Sequence, residues 1–353
     1  MKASVRVFET VTLENLFPRG YILVNPDIKK TLGLSEIAAR NHYAQHGHRE
    51  LRRQITPEFF EWSENSEYKA ERFRRFRNCF EALPPNIHHF PISFGDRFEN
   101  VADYQAESAQ GSAGEFVDEL TTHPDGLYAD IGAGLRDVIF ENCLNVEVYP
   151  SLTTDVVIEP TGMLPFKTAS LNGIGCFAVL EHVRQPWKMA ADIARVVKPG
   201  GKVFIVWPFL QPTHGYPSHY YNATREGLRA LFEPHFQIST LTTRANDGPD
   251  FTVQWILSWL LGAIGDPALR AQFAAKTIGE ISAELPQSPL WKSILKTLDD
   301  RTIEKLSCGN FLAGVRNATA PAFSERGMAA QPVKQIGIKP GLWQRLLGLP
   351  RSR

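Results

Sequence analysis

A glycine turn directly after an apolar strand constrains this chain more than any other feature. The segment LYADIGAGL, residues 127–135, carries Asp130 near the strand end and Gly132 and Gly134 in the turn. Glycines at such a turn let the backbone bend sharply and approach a ligand without obstruction by a Cβ atom. A GxG turn alone is weak evidence, so its interpretation depends on the segments that follow.

Predicted strands and helices alternate from residue 126 onward, which is the pattern of a parallel sheet covered by helices on both faces. A helix is predicted over residues 186–197, where apolar side chains recur at helical spacing. A mostly helical insertion, about residues 251–305, precedes the last strand. The predicted strands are 126–131, 145–148, 155–158, 173–179, 202–207, 236–242 and 310–315.

An acidic residue, Glu147, lies at the end of the second predicted strand. At this spacing a carboxylate can accept hydrogen bonds from both hydroxyls of a ribose, and charge-assisted bonds of this kind contribute roughly 1.5–3 kcal/mol each. Nicotinamide-dependent dehydrogenases use the same arrangement, so Glu147 indicates a nucleoside site without naming the cofactor. A solvated loop acid is the alternative interpretation.

The run from residue 164 to residue 209 contains LPF, LEHV and KPGG in order, with an apolar helix between the last two. It closely resembles class I S-adenosyl-L-methionine (SAM)-dependent methyltransferases of the methyltransferase-11 type. The resemblance implies SAM as cofactor and methyl transfer as the reaction. It also implies an α/β, Rossmann-like fold with a seven-stranded, mostly parallel sheet in the order 3-2-1-4-5-7-6.

The same resemblance implies roles for individual residues. Asp130 and the two glycines would line the amino acid end of SAM, Glu147 would hold its ribose, and Glu159 would lie near its adenine. Leu180, Glu181 and His182, within LEHV, would lie beside the methyl-transfer centre. Three positions depart from the family pattern: Arg136 replaces the third glycine, Asn172 replaces an aspartate, and Glu159 is one place out of register. Because of Arg136, the loop after the glycine turn is expected to turn differently, or the helix there to be short.

The loop after the fifth predicted strand, residues 208–228, is rich in histidine and tyrosine. It is similar to segments of methyltransferases associated with bacterial polysaccharide loci. Aromatic faces suit sugar rings, and histidine can accept a hydroxyl proton near neutral pH. We therefore predict a small-molecule or glycan acceptor, with His214, His219 and Tyr221 as candidate catalytic residues. Packing within a lid is the alternative role for them.

The N-terminal segment YILVNPD, followed by HYAQHGHRE, resembles a short motif of bacterial glycosyltransferases and other cell-surface glycan proteins. No carboxylate or cysteine completes a ligand set with its histidines, and we expect no metal site. A following amphipathic helix is expected to expose an arginine face to solvent, formed by Arg72, Arg74, Arg75 and Arg77. Contact of these arginines with an anionic substrate or a phosphate is the alternative. The predicted divisions are an N-terminal helical module (1–80), a methyltransferase domain (81–320) and a flexible basic tail (321–353).

Composition excludes several classes of protein. Lysine plus arginine equals aspartate plus glutamate at 38 each, which argues against a nucleic-acid partner. The four cysteines form no CxxC pair, and no secretory signal is evident, so we expect a cytoplasmic location. The longest apolar run, 255–264, is too short to span a membrane, although the tail has a weak amphipathic signal for a membrane surface. The oligomeric state is left open.

Two other functions fit parts of the sequence. A nicotinamide-dependent oxidoreductase shares the glycine turn and Glu147, but Asp137 occupies the third glycine position of its GxGxxG fingerprint. A non-catalytic scaffold with a methyltransferase fold, acting in glycan assembly, is suggested by Arg136 and Asn172.

Overall fold

The computed structural model describes residues 3–33, 35–94, 112–160, 163–215, 218–244 and 247–306. Ten strands lie in these ranges. They are β1 (Ser4–Arg6), β2 (Phe8–Thr10), β3 (Arg53–Ile55), β4 (Ile92–Ser93), β5 (Tyr128–Ile131), β6 (Val138–Phe140), β7 (Cys143–Glu147), β8 (Val156–Val157), β9 (Leu171–Phe177) and β10 (Val197–Val206).

Thirteen α-helices lie in the same ranges, several of them starting at a proline or after a side-chain cap. Ser35, Thr56 and Thr224, for example, each accept a hydrogen bond from a backbone N–H of the first turn. The helices are α1 (Pro18–Val24), α2 (Pro26–Leu32), α3 (Glu36–Gln45), α4 (Pro57–Glu64), α5 (Ser66–Phe76), α6 (Gly114–Thr122), α7 (Pro186–Val196), α8 (Arg225–Phe232), α9 (Pro249–Ala263), α10 (Pro267–Ala274), α11 (Ile278–Ala283), α12 (Pro289–Leu295) and α13 (Asp300–Leu306).

The central sheet has six strands in the order β10-β9-β5-β7-β8-β4, and every neighbouring pair is parallel. The order β8-β7-β5-β9-β10 reproduces the 3-2-1-4-5 part of the predicted sheet. Strands β5 and β7 are buried along their whole length, as expected for a parallel sheet covered on both faces. The carboxyl ends of the strands, where ligands bind in such folds, therefore meet at one edge.

Both ends of the predicted sheet differ from the structure. Residues 236–242, predicted as the sixth strand, are irregular and form no strand within the described residues. Their expected partner, 310–315, lies outside the described residues. The sixth observed strand is instead β4, at the opposite edge beside β8. A strand of two residues has too few positions to show alternation, so β4 could not be predicted from sequence patterns.

The connection between β5 and β7 contains no helix, which fits the expectation raised by Arg136. It contains β6, which pairs in antiparallel fashion with β1 from the N-terminal region. Helix α5 contacts this connection through Arg72, which is 2% exposed and ion-paired with Asp155. Arg72 also donates to the carbonyl oxygens of Phe140 and Cys143. The prediction that the arginine face is solvated is therefore wrong for Arg72.

The segment from α9 to α13 is helical, as the predicted insertion required. Its own small apolar cluster is centred on Ile264, Phe273 and Ile294. Among the described residues, no helix has both the length and the apolar character needed to cross a membrane.

Candidate functional site

The glycine turn lies at the carboxyl end of β5 and packs against the end of β9. Gly132 and Gly134 have φ values of +65° and +62°, a region that favours glycine. The N–H of Gly132 donates to the carbonyl of Val146 on β7 at 2.9 Å. A Cβ atom on Gly132 would lie 2.3 Å from Cγ2 of Val179, so no larger residue fits without movement. The turn is thus tightly held between β7 and β9.

Glu147 ends β7 beside this turn, as the sequence predicted. Its Oε2 accepts the N–H of Gly134 at 2.9 Å, and its Oε1 accepts the N–H of Val148 at 2.7 Å. Burial raises the pKa of the Glu147 carboxyl above its usual value, although both backbone N–H groups favour its charged form. A carboxylate has about four acceptor positions, so two remain for a pair of hydroxyls. That is the number of hydrogen bonds that the two hydroxyls of a ribose can donate.

Asp130 is not an isolated acid. The Nε and Nη2 atoms of Arg136 donate to its Oδ2 and Oδ1 at 2.8 and 3.0 Å, and both side chains are buried. Ser112 also donates to Oδ2, at 3.2 Å. The carboxylate of Asp130 is therefore already paired with Arg136, and a ligand ammonium group that contacts Asp130 would share it with that guanidinium. The sequence singled out Arg136 as a departure but gave no indication of this partner.

Glu159 lies two residues after the end of β8 and is half-buried. The N–H of the preceding residue, Ile158, donates to the backbone carbonyl of Glu147 at 2.9 Å. Glu159 therefore follows the strand next to Glu147 at the same edge of the sheet, where the adenine end of the cofactor was predicted.

The LEHV motif forms a short 3-10 turn, Leu180–His182, after β9. Leu180 is buried, and Glu181 is 0% exposed. Neither carboxylate oxygen of Glu181 has a hydrogen-bond partner within the described residues. Burial raises the pKa of Glu181 to about 8 and lowers the pKa of His182 to about 4. An uncompensated acid of this kind is characteristic of functional sites.

The predicted acceptor loop places two of its histidines against this turn. The rings of His182 and His214 have centroids 5.5 Å apart, and the ring of His219 lies 5.4 Å from the first and 4.7 Å from the second. Trp255 of α9 covers His214 at 5.1 Å, a contact that the sequence did not indicate. The structure thus brings together residues from β9, the loop after β10 and the helical insertion.

The two ring nitrogens of His219 both have partners. The backbone N–H of His214 donates to Nδ1 at 3.2 Å, which leaves Nε2 as the protonated nitrogen, 2.7 Å from Oδ1 of Asn222. His219 therefore shapes the loop, and its ring has no nitrogen left to accept a substrate proton in this arrangement.

Tyr221 lies at the rim of the cluster. It is 39% exposed, and its ring makes an edge contact with Trp187 at 6.2 Å. Gly215, which the sequence interpretation did not single out, has a φ of +79°, and a Cβ atom there would lie 2.2 Å from Cε1 of His182. Only glycine lets the loop approach His182 so closely. Tyr216 lies outside the described residues.

Comparison with protein families gives a direct result. The sequence model of a methyltransferase domain, Methyltransf_11, matches residues 129–205, which span the glycine turn, Glu147, the LEHV motif and most of β10. The chain is a SAM-dependent methyltransferase with a class I catalytic domain. The nicotinamide-dependent alternative is set aside, because the matched family uses SAM.

Solved structures similar to the methyltransferase share little of its sequence. One is the YcgJ protein of Bacillus subtilis, at 16% identity and a TM-score of 0.25, with 42% of this chain and 81% of that chain covered. Another is phosphoethanolamine N-methyltransferase 2 of Haemonchus contortus, at 14% identity and a TM-score of 0.25, with 69% and 56% covered. A third is a chain from the complex of the Haloferax volcanii Trm112 methyltransferase activator with a candidate methyltransferase, at 12% identity and a TM-score of 0.25, with 35% and 72% covered. Comparison with curated protein sequences gives no match.

Proposed function

We propose that this methyltransferase methylates a hydroxyl group of a sugar, in a small molecule or a glycan, and that a bacterial surface polysaccharide is the natural acceptor. The observation that carries the proposal is the cluster of His182, His214 and His219 beside the turn after β9, with tyrosines at its rim. Polar groups that converge below exposed aromatic rings suit an acceptor that has both hydroxyls and flat ring faces.

The geometry of the turn supports the proposed cofactor residues. Glu147 would hold the ribose with its two remaining acceptor positions, and Gly132 and Gly134 would admit the backbone close to the cofactor. Asp130 would act as a pair with Arg136 at the amino acid end, Glu159 would lie near the adenine, and Leu180 would pack beside the transfer centre. SAM, when bound, supplies a methyl group that forms a bond to oxygen as its bond to sulfur breaks, with the electron pair remaining on sulfur.

The protein's contribution would be alignment and exclusion of water. Correct placement of two reactants can supply roughly 7–11 kcal/mol of a barrier. Tyr220 and Tyr221, which are 43% and 39% exposed, offer ring faces to a sugar. His214, deeper in the cluster, would touch the acceptor hydroxyl, while His219 holds the backbone of His214. Tyr221 would bind the acceptor from the rim.

The test is transfer of radiolabelled methyl from SAM to fractionated host extracts. Label is expected in the polysaccharide or sugar fraction, and His214→Gln should reduce its incorporation at least tenfold. His235→Gln, which changes an exposed histidine after α8, is the matched control and should leave incorporation unchanged. Incorporation only into lipid, protein or amine fractions would overturn the sugar assignment.

The wider organisation also remains a proposal. We retain 1–80, 81–320 and 321–353 as working divisions, although Arg72 and Asp155 tie the first closely to the second. We also retain a cytoplasmic location and the absence of a nucleic-acid partner. The proposed weak contact of the tail with a membrane surface concerns residues outside the described ranges.

A further inference from the structure

Three side chains beside the transfer centre converge on one point. Glu181, His182 and His214 each offer one ligand atom, and these atoms all lie within 4.8 Å of one another. Oε1 of Glu181 is 3.8 Å from Nε2 of His182 and 4.0 Å from Nε2 of His214. Ligand atoms that each lie about 2.0–2.2 Å from a shared ion are separated by at most about twice that distance. The two separations from Glu181, 3.8 and 4.0 Å, fall within that limit, and the separation of the two imidazole nitrogens is bounded by a value close to it.

The state of Glu181 is an independent observation. Its carboxylate is 0% exposed, and neither oxygen has a hydrogen-bond partner in the described part of the chain. A buried carboxylate is ordinarily paired, hydrogen-bonded or bound to a metal, because burial without compensation is costly. Both nearby imidazoles lie beyond hydrogen-bond distance from it. A cation between the three groups would compensate this acid.

The two histidines are oriented as metal ligands. Nδ1 of His182 lies 2.9 Å from the carbonyl oxygen of Ser218, and Nδ1 of His214 lies 2.9 Å from that of Pro212. A carbonyl oxygen can accept a hydrogen bond but cannot donate one. In the neutral form of both rings, Nδ1 therefore carries the hydrogen and Nε2 is the unprotonated nitrogen. Metal-binding histidines characteristically donate their second N–H to such a carbonyl, which fixes the ring and its tautomer.

We propose that Glu181, His182 and His214 bind a divalent ion of the first transition row, and that this ion binds the acceptor hydroxyl. Two imidazoles and one carboxylate suit such ions and leave coordination positions open for oxygen ligands. Coordination would lower the pKa of the hydroxyl, whose proton passes to solvent, so that the oxygen becomes the stronger nucleophile. The role of the ion rests on the proposed function; the binding site does not.

This inference replaces the sequence-based expectation of no metal site. No ligand-spacing motif marks the three residues, because two are adjacent in the chain and the third comes from a separate loop. It also changes the roles of Glu181 and His182, which the family resemblance placed at the cofactor, and of His214, which would reach the acceptor hydroxyl through the ion. They would hold the ion that faces the acceptor, next to the cofactor.

The experiment is a titration of the metal-stripped, full-length chain with Co²⁺, followed by its visible absorption and by the bound metal after gel filtration. The parent for all measurements should be His46→Ala, because His42 and His46 lie one helical turn apart with ring centroids 5.6 Å apart and could bind metal adventitiously. We expect one tightly bound Co²⁺ per chain. Absence of a bound ion in this parent would overturn the proposal.

The ligand variants are Glu181→Gln, His182→Gln and His214→Gln, with His235→Gln as the control. Each ligand variant should lower the affinity for Co²⁺ at least tenfold, and the control should not change it. Because a variant could lose binding by failing to fold, the thermal midpoint is measured with chelator and with metal. In chelator, the thermal midpoint of Glu181→Gln should be at least as high as that of the parent. Addition of metal should not raise the midpoint of this variant. Unchanged Co²⁺ affinity in the ligand variants, or a lower midpoint for Glu181→Gln in chelator, would refute the site.

The outcome for the metal site is separable from that for the proposed function. Metal bound by these ligands without methylation of any sugar fraction would overturn the sugar assignment and leave the site standing. Sugar methylation at an unchanged rate by the stripped, metal-free chain would refute the role of the ion and leave the sugar assignment standing.

Discussion

The guanidinium of Arg136 and the carboxylate of Asp130 form a bidentate ion pair beside the glycine turn. Its two hydrogen bonds measure 2.8 and 3.0 Å, and each side chain is 3% exposed. Arg136 stands where the family pattern has its third glycine, and the helix expected after the turn is replaced by β6. The pair thus links the carboxyl end of β5 to the connection between β5 and β7, which contains β6 and no helix.

Removal of one partner should therefore destabilise the fold as well as the site. In Asp130→Ala the buried charge of Arg136 loses the carboxylate that it pairs with, and we expect a loss of about 3–5 kcal/mol in the free energy of unfolding. Urea denaturation followed by circular dichroism measures this. The double variant Asp130→Ala/Arg136→Leu should recover part of the loss. A loss below about 1 kcal/mol for the single variant, the range of exposed pairs, would contradict the arrangement.

Replacement of Glu147 by glutamine should weaken SAM binding without unfolding the protein. The amide oxygen can still accept one backbone N–H, but the charge-assisted bonds to the ribose are lost, at roughly 1.5–3 kcal/mol each. We expect an increase in Kd of about tenfold to a hundredfold, measured by titration calorimetry. Glu226→Gln, on the exposed start of α8, is the control. An unchanged Kd for Glu147→Gln would remove Glu147 from the cofactor site.

The buried pair of Arg72 and Asp155 should contribute far more to stability than the exposed pair of Arg53 and Asp137. Side chains of the first pair are 1% and 5% exposed, and those of the second are 51% and 68% exposed. We expect Asp155→Ala to cost about 3–5 kcal/mol and Asp137→Ala less than about 1 kcal/mol. Chemical denaturation of both variants tests the difference. Equal losses would show that α5 is not anchored to the sheet through Arg72.

Two glycines with similar backbone conformations should respond differently to substitution by alanine. Gly132 and Gly200 have φ values of +65° and +77°, so both variants should pay about 1–2 kcal/mol for a left-handed conformation. Only at Gly132 would the added Cβ also collide with Val179, whereas at Gly200 it meets nothing within 4 Å. We expect Gly132→Ala to be the less stable and to bind SAM more weakly. Calorimetry with both variants checks this, and equal effects would contradict the packing of the turn.

Much of the fold was predictable because its signals are local. Strands β5 and β7, most of β9 and residues 202–206 of β10 are mainly apolar segments near turn residues, and α7 repeats apolar side chains at helical spacing. Residues 236–242 show that such a signal can be insufficient. Half-buried and exposed positions alternate over 236–239, yet a strand also requires a hydrogen-bonded neighbour, and the described residues provide none there.

The site was predictable in part. Glu147 and the glycines follow from their places after strands, and the LEHV motif pointed to Glu181 and His182. The pairing of Arg136 with Asp130, the burial of Arg72 and the approach of His214 to Glu181 were not predictable, because each depends on contacts between segments far apart in the sequence. No periodicity or spacing encodes such contacts.

Methyl transfer to a sugar oxygen is the central claim of the proposed function. Incubation of the enzyme and isotope-labelled SAM with the sugar fraction, followed by nuclear magnetic resonance of the product, identifies the atom that receives the methyl group. We predict a methyl group bonded to a sugar oxygen, strongly reduced in His214→Gln. Label bonded to nitrogen or carbon, or an unlabelled sugar fraction under conditions where SAM is bound, would contradict the account.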